Sequence, residues 1–476
     1  MPKPTTSPLM RATALALALA GGTALAAAPA LAAGKGHAAA EAQTLELSKQ
    51  VIALRSVQGP GNETDKVAGV FRDALVKGGW AASDIEIVPV GDTAYMVATW
   101  KGSDASLKPL VVSGHMDVVE AKRADWERDP FVPVVENGNL YGRGALDMKF
   151  NAALAVSSLI DMRQAGYKPK RTIVIAFSGD EETTMKTSQI LAERLKGADI
   201  VINVDGGGGM LSEEGAKPLA WTWEGAEKNY ADFKLEVTNA GGHSSAPRPE
   251  NAIVQLSQAL VRIGAYHFTP EVSPLTKAFL ESAAKITPEP DIAGAMRAFA
   301  ADPTDASAIA TLRAHPETIG RIETTCVPTM LSGGHALNAL PQRATANINC
   351  RIFPGHKRED IMAELVKVAD APVVKFSDVT EGSTASPASP MRADFLKAAD
   401  KAIHQAYPGI MVIPAQSSGA SDSMWYRVNG VDAYGASPVL IKGSEEFAHG
   451  LNERVPLSNI KPGVVYFTSL LTDLSK

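Results

Sequence analysis

His115-Met116-Asp117 follows an apolar run and offers an imidazole with a carboxylate two residues on. A neutral imidazole is a good zinc ligand, and its second nitrogen needs an acceptor to fix the tautomer. Asp117 can supply that acceptor, directly or across the turn. Asp147 lies in Gly142-Arg143-Gly144-Ala145-Leu146-Asp147-Met148-Lys149, just ahead of an apolar helical stretch. Asp180-Glu181-Glu182 closes a second apolar run, where three adjacent carboxylates repel unless water or cations lie among them. Asp205 closes a third run before Gly206-Gly207-Gly208-Gly209, and His449 sits in Glu446-Phe447-Ala448-His449-Gly450. Singly, each has an ordinary structural reading: a surface pair, a helix N-cap, a solvated loop, a flexible turn. Together, the two histidines, Asp147, Asp205 and one of the two glutamates make an oxygen and nitrogen donor set suited to two zinc ions. Such a pair supports hydrolysis by an activated water.

These groups need elements to bring them together. Residues 110–114, 172–177 and 199–204 are continuous Val- and Ile-rich runs separated by helical stretches at 152–165 and 187–195. That rhythm predicts strands of a sheet covered on both faces. Open α/β sheets bind ligands beyond the carboxyl ends of their strands, where His115, Glu181, Glu182 and Asp205 fall. Helices are expected at 43–54 and 62–77, after a flexible Ala/Gly leader at 33–42. The middle of the chain has a different rhythm. A strand at 230–240, a helix at 251–264, strands at 324–332 and 343–353, a helix at 358–369 and a strand at 373–379 give the ferredoxin-like order β-α-β-β-α-β. A helix-rich, proline-containing stretch at 268–322 interrupts it. Helices at 391–406 and 462–474 and a strand at 431–435 resume the first pattern. The expected fold is α/β: a mostly parallel-sheet hydrolase domain over 33–228 and 384–476, with a ferredoxin-like domain over 229–383 inserted.

The chain is 45% hydrophobic and 476 residues long, enough for more than one domain. Its net charge is −6, with no basic cluster past the N-terminus, which argues against a nucleic-acid partner. Lys3 and Arg11, the apolar run at 12–28 and the small-residue site Ala30-Leu31-Ala32 predict a signal peptide over 1–32, cleaved after Ala32. The protein is then periplasmic or secreted. Gly21-Gly22 breaks the run, and no other stretch is apolar enough to span a bilayer, so no stable membrane anchor is expected. Cys326 and Cys350 fall on neighbouring expected strands. An oxidising compartment permits a disulfide there, and two buried free thiols are equally open.

Five segments resemble one family in order and spacing over nearly the whole mature chain. They are Ser113-Gly114-His115-Met116-Asp117-Val118-Val119, the stretch from Tyr141 to Lys149, Ser178-Gly179-Asp180-Glu181-Glu182, Gly241-Gly242-His243-Ser244-Ser245 and the region of His449. The family is the co-catalytic zinc family of aminoacylase, succinyl-diaminopimelate desuccinylase, acetylornithine deacetylase, carnosine dipeptidases and bacterial glutamate carboxypeptidase. The resemblance implies two Zn2+ ions per subunit, with Co2+ or Mn2+ as substitutes. Asp147 would bridge them, His115 and Asp205 would complete one site, and Glu182 and His449 the other. It further implies that Asp117 orients His115, that Glu181 is the general base and acid, and that His243 polarises the substrate carbonyl. In family dimers that histidine reaches the partner's site, so the inserted domain would serve as lid and dimerisation domain of a homodimer. Asn338 and Arg351 match positions that hold the substrate and its carboxylate. Gly419 and Ser421 match a loop lining the same pocket. Two departures stand out: Phe150 replaces a family glycine, and Thr183-Thr184-Met185 follows Glu182 where glycine and serine are common.

The function expected from this set is an exported zinc metallopeptidase cutting small peptides in carboxypeptidase or dipeptidase fashion. N-acyl amino acid deacylation is the alternative, since the 268–322 insertion resembles that of the larger carboxypeptidase-like members. A non-catalytic peptide-binding protein on the same fold and a dimetal esterase or phosphodiesterase are more remote.

Overall fold

The computed structural model describes residues 36–476; the expected signal peptide and the start of the leader lie outside the described residues. The three Val- and Ile-rich runs form strands Leu110–His115, Ile173–Ser178 and Ile200–Asn203, buried at every position. They pair in parallel with Leu110–His115 in the centre, and Asp432–Gly435 extends the parallel set beyond Ile200–Asn203. Burial on both faces is why their apolar residues run on without alternating. Towards its flanks the ten-stranded sheet becomes mixed, with antiparallel pairs and with Met411–Ser417 and Leu440–Lys442 added in parallel on one side. Thr93–Trp100 and Ile85–Val90 lie on one side, Pro218–Glu227 and Gly208–Leu211 on the other.

Helices Ala38–Ile52, Thr64–Lys77, Lys149–Gln164, Ala393–Ala406 and Ile460–Leu474 contribute to the core on one face, Lys186–Arg194 and Ser423–Val428 to that on the other. Lys149–Gln164 is buried almost all round, because it packs against the sheet and also against the Ala38–Ile52 and Ile460–Leu474 helices. The first of these helices begins at Ala38, which corrects the flexible leader expected up to residue 42. Alanine is the strongest helix former, and Ala40, Leu47, Val51 and Ile52 give the helix a face to bury. Its carboxyl end is held by Lys149, whose buried Nζ donates to the carbonyls of Val51 at 2.9 Å and Leu54 at 2.8 Å. Burial pushes Lys149 down to about 7, and its N–H donors meet the negative end of the helix dipole.

A second sheet is wholly antiparallel, in the spatial order Thr325–Gly333, Arg343–Ile352, Asn229–Thr238, Lys375–Asp378. Helices Ala252–Gly264 and Arg358–Ala369 pack on it around a separate core that includes Phe233, Leu256, Ile348 and Leu365. This is the ferredoxin-like arrangement. The stretch at 268–322 folds into helices Pro274–Ala283, Pro290–Ala301, Ala306–Arg313 and Pro316–Ile322 around Leu280, Phe299 and Leu312. Three of them start with proline, whose missing N–H goes unused at a first helical position. No described helix is long and apolar enough to cross a membrane.

Cys326 and Cys350 stand directly opposite in the strand register and form a disulfide, with Cα atoms 4.1 Å apart. The bond spans a sequence separation of 24 residues. Replacing both cysteines with serine should lower the unfolding free energy by about 3 kcal/mol, chiefly by freeing the unfolded chain. Urea melts of the oxidised protein and the double variant test this, and coincident midpoints would contradict it.

Candidate metal centre

His115 ends the central strand, and the neighbouring strands deliver Glu181 and Glu182 just past Ser178 and Asp205 just past Asn203. Asp147 arrives separately, ahead of the Lys149–Gln164 helix, after which the Asp147–Met148 peptide is cis. His449 comes from the loop before the short strand Arg454–Pro456. The five groups meet beyond the carboxyl ends of the central strands. His115 Nε2 lies 3.1 Å from Asp147 Oδ1 and 3.6 Å from Asp205 Oδ1. His449 Nε2 lies 3.2 Å from Asp147 Oδ2 and 2.9 Å from Glu182 Oε2. Two donors about 2.1 Å from a tetrahedral ion stand about 3.4 Å apart, so these spacings suit ligands around a cation. The two oxygens of Asp147 face different histidines, one on each side. Donor atoms of His115, Asp147 and Glu182 lie within 4.8 Å of one another, as do those of His115, Glu181 and Asp205. Glu181 thus borders the His115–Asp205 position.

The electrostatics point the same way. Among the described residues, the ion-pair partners of Asp147, Glu182 and Asp205 are the two histidines alone. Burial pushes Asp205 up to about 7 and Glu181 well above the usual carboxylate range. Burial also raises Glu182, against the hydrogen bond from His449. Burial would raise Asp147 too, but His115 and His449 hold it below the ordinary value. His449, bonded to Asp147 and Glu182, is pushed up to about 10. Burial would lower His115, but Asp205, Asp117 and Asp147 outweigh it and lift the imidazole well above its usual range. The cluster therefore holds protons where cations would serve. Both histidines must be neutral to ligate, so metal uptake would release protons and strengthen with pH.

Surrounding contacts fix these groups. His115 Nδ1 lies 3.0 Å from the backbone carbonyl of Asp117, with the Asp117 carboxylate at 3.5 Å. The orienting contact expected of that carboxylate is thus the longer one. The carboxylate instead accepts the N–H groups of Glu181 at 3.1 Å and Glu182 at 3.0 Å. Asp180 points away and accepts the N–H groups of Lys186 and Thr187 at the start of their helix, with Thr184 Oγ1 donating to it as well. That gives Thr184 a local purpose, and Phe150 is buried in the core. Asn203 Oδ1 accepts from Asp205 N at 3.0 Å, while its Nδ2 donates to Ser421 and Ser423. Ser421 was expected at the substrate, yet it is buried, and its hydroxyl is taken up by Asn203 and Glu227. Sequence reasoning missed Asn203 and gave Asp422 only a place in the loop of Gly419 and Ser421; its carboxylate accepts from Ser178 at 2.7 Å beneath the site.

The other expected substrate groups lie elsewhere. His243 is exposed in a two-residue strand paired with Ala339–Leu340, and the Asn338 carbonyl accepts from Ser244 N at 2.9 Å. Arg351 stacks on Tyr230 and donates to Ser418 O at 2.9 Å, beside exposed Gly419. Among their described contacts, none is to the His115–His449 cluster. A cavity of about 440 Å³ opens beside Asp147 and Asp205, lined by Gly206 to Gly209 and by Met210, Ile413, Val439 and Ile441. Gly207, at φ +71°, can be nothing larger: a Cβ there would lie 2.5 Å from Thr222 O.

Comparison with known proteins gives a consistent picture. A family model described as peptidase family M20/M25/M40 matches residues 111–473. The mouse N-fatty-acyl-amino acid synthase/hydrolase PM20D1 is 31% identical over 395 residues, covering 77% of this chain and 74% of that protein. A probable carboxypeptidase S-like 2 of Dictyostelium discoideum is 27% identical, covering 80% and 74%. In fold, the chain is similar to an M20 family metallo-carboxypeptidase from Sulfolobus solfataricus, with TM-score 0.67, 18% identity and coverage of 90% and 98%. Human carnosine dipeptidase 1 follows at TM-score 0.63 and 16% identity, covering 92% and 97%.

Proposed function

Because the chain belongs to peptidase family M20/M25/M40 and so hydrolyses peptide or N-acyl amide bonds, we propose that it is an exported dizinc peptidase of carboxypeptidase or dipeptidase type. One observation carries the metal reading: the two oxygens of Asp147 face His115 and His449 separately, with Asp205 and Glu182 beside them. An oxygen and nitrogen donor set of this kind suits zinc. Bound there, two divalent ions would polarise the scissile carbonyl and acidify the attacking water. Glu181, whose backbone the Asp117 carboxylate holds, takes the proton from that water and returns it to the leaving nitrogen. The family resemblance assigns the carboxylate of the leaving amino acid to Arg351, Asn338 and the loop at Gly419, and Arg351 already reaches that loop through Ser418 O. Ser421 acts one step back, through Asn203 and Asp205. The disulfide supports export, since such bonds persist in oxidising compartments.

The inserted domain, placed at 229–383, makes a homodimer in this reading. Its edge strand Thr325–Gly333 exposes Val327, Met330 and Leu331, and the neighbouring helix exposes Val254 and Val261. An unpaired apolar edge is a template for a second copy. Pairing would carry the exposed His243 of one protomer towards its partner's site, where it polarises the carbonyl. Met330→Lys with Leu331→Lys should convert dimer to monomer in light scattering and cut turnover of the same sample. An unchanged dimer would remove this interface.

The cavity favours a second reading, N-acyl amino acid hydrolysis, because its glycine and aliphatic lining suits an acyl chain. Metal-replete mature protein should be offered dipeptides and N-acyl amino acids of rising chain length, with and without chelator. Chelator-sensitive cleavage that favours dipeptides supports the first reading, and favour for long acyl chains supports the second. Binding without cleavage of either class would leave only a peptide-binding protein.

A further inference from the structure

Asp147 and His449 are far apart in sequence, and one buried ion pair touches the backbone of both. Glu453 is fully buried and Arg143 is 2% exposed. Glu453 Oε1 accepts the N–H of Asp147 at 3.0 Å and of Leu146 at 2.7 Å. Its Oε2 accepts the N–H of Gly144 at 3.2 Å and Nη1 of Arg143. The other terminal nitrogen of Arg143 donates to the carbonyls of His449 at 3.3 Å and Gly450 at 3.2 Å. The guanidinium also lies over the Trp126 ring, 5.2 Å from its centroid. Short strands Asn139–Tyr141 and Arg454–Pro456 pair next to this contact and bring the two segments alongside.

A buried ion pair is a poor way to gain stability, because desolvation offsets much of the attraction. Its value here is geometric. A carboxylate taking four donors leaves the 144–147 loop little freedom, and the two terminal nitrogens of a rigid guanidinium reach Glu453 with one and two carbonyls with the other, a span that the single nitrogen of an ammonium does not cover. From these contacts we propose that Arg143 and Glu453 are positioning residues that set the Asp147–His449 separation and so tune metal affinity. Glu453 acts through Asp147, which faces both metal positions. Arg143 acts through His449, which faces one. The two residues therefore have different signatures. The inference rests on the reading of Asp147 and His449 as metal ligands.

Metal-free wild-type protein and the variants Arg143→Lys, Glu453→Gln and His449→Ala should be titrated with Co2+ by calorimetry and absorption. Arg143→Lys is expected to weaken one of two binding steps about tenfold, the step that His449→Ala removes. Glu453→Gln is expected to weaken both steps by about ten- to a hundredfold. Near-UV circular dichroism reports whether each variant keeps its fold; if Glu453→Gln does not, Arg143→Lys carries the test. Folded variants with wild-type affinity in both steps would overturn the inference, as would loss of the fold in both, which makes the pair a folding element. Absence of cobalt uptake by wild-type protein would instead overturn the metal reading.

Discussion

Glu181→Gln should lower kcat by about a thousandfold, roughly 4 kcal/mol of barrier, and leave metal content at the wild-type level. The substitution keeps the shape of a side chain that is 8% exposed, and the backbone contact from Glu181 N to Asp117 remains. What it removes is the capacity to take a proton. The five proposed ligand side chains are untouched, so both ions should stay. Steady-state rates paired with elemental analysis of the same sample read both halves of the expectation. A variant turning over near the wild-type rate would remove Glu181 from the proton-transfer role.

Asp147→Ala should have the larger effect. It deletes the one carboxylate that touches both histidines, and leaves Glu182 with His449 and Asp205 with His115 as separate, incomplete sites. Metal content should fall from two ions per chain to none after dialysis, and turnover to the level of chelator-treated wild type. Adding Glu181→Gln to this variant should cost nothing more, because residues that act as a unit are not additive. Stability gives an independent reading. At free metal a hundredfold above Kd, two-state linkage adds about 2.7 kcal/mol per ion. Chelator should therefore lower the melting temperature of wild type and leave that of Asp147→Ala unchanged. Retention of both ions by the variant would take Asp147 out of the bridging position.

The parts of the fold legible in the sequence were those with an uninterrupted local signal. The three strands that end at His115, Ser178 and Asn203 read clearly because both of their faces are buried. The ferredoxin-like unit read clearly because Asn229–Thr238 and Arg343–Ile352 alternate buried and less buried positions, as a one-sided sheet must. The flanking strands were less visible. Gly206 to Gly209 read as a flexible turn, yet Gly208 and Gly209 belong to a strand, and Gly207 before it lies so close to the carbonyls of Thr222 and Gly435 that only glycine fits there.

The same contrast holds at the site. His115, Glu181, Glu182 and Asp205 are marked by their strand ends, Asp147 and His449 are tied to them by the family resemblance, and Glu453 is marked by neither. Glu453 is one acid in a loop until Arg454–Pro456 pairs with Asn139–Tyr141, and nothing nearby in sequence marks its target. The family resemblance puts the loop of Ser421 at the pocket, but it does not say which way the hydroxyl faces, and here Asn203 and Glu227 satisfy that hydroxyl in the interior. The cysteine pair was undecided because strand register, which sets Cys326 opposite Cys350, is not written in either strand alone.

An anomalous-difference map at the zinc edge, from crystals of the mature protein grown with zinc, addresses the shared-carboxylate centre most directly. It should show two peaks about 3.5–4 Å apart, one between His115, Asp205 and Asp147, the other between Glu182, His449 and Asp147. No peak beside Asp147, or a single one that leaves His449 uncoordinated, would contradict it.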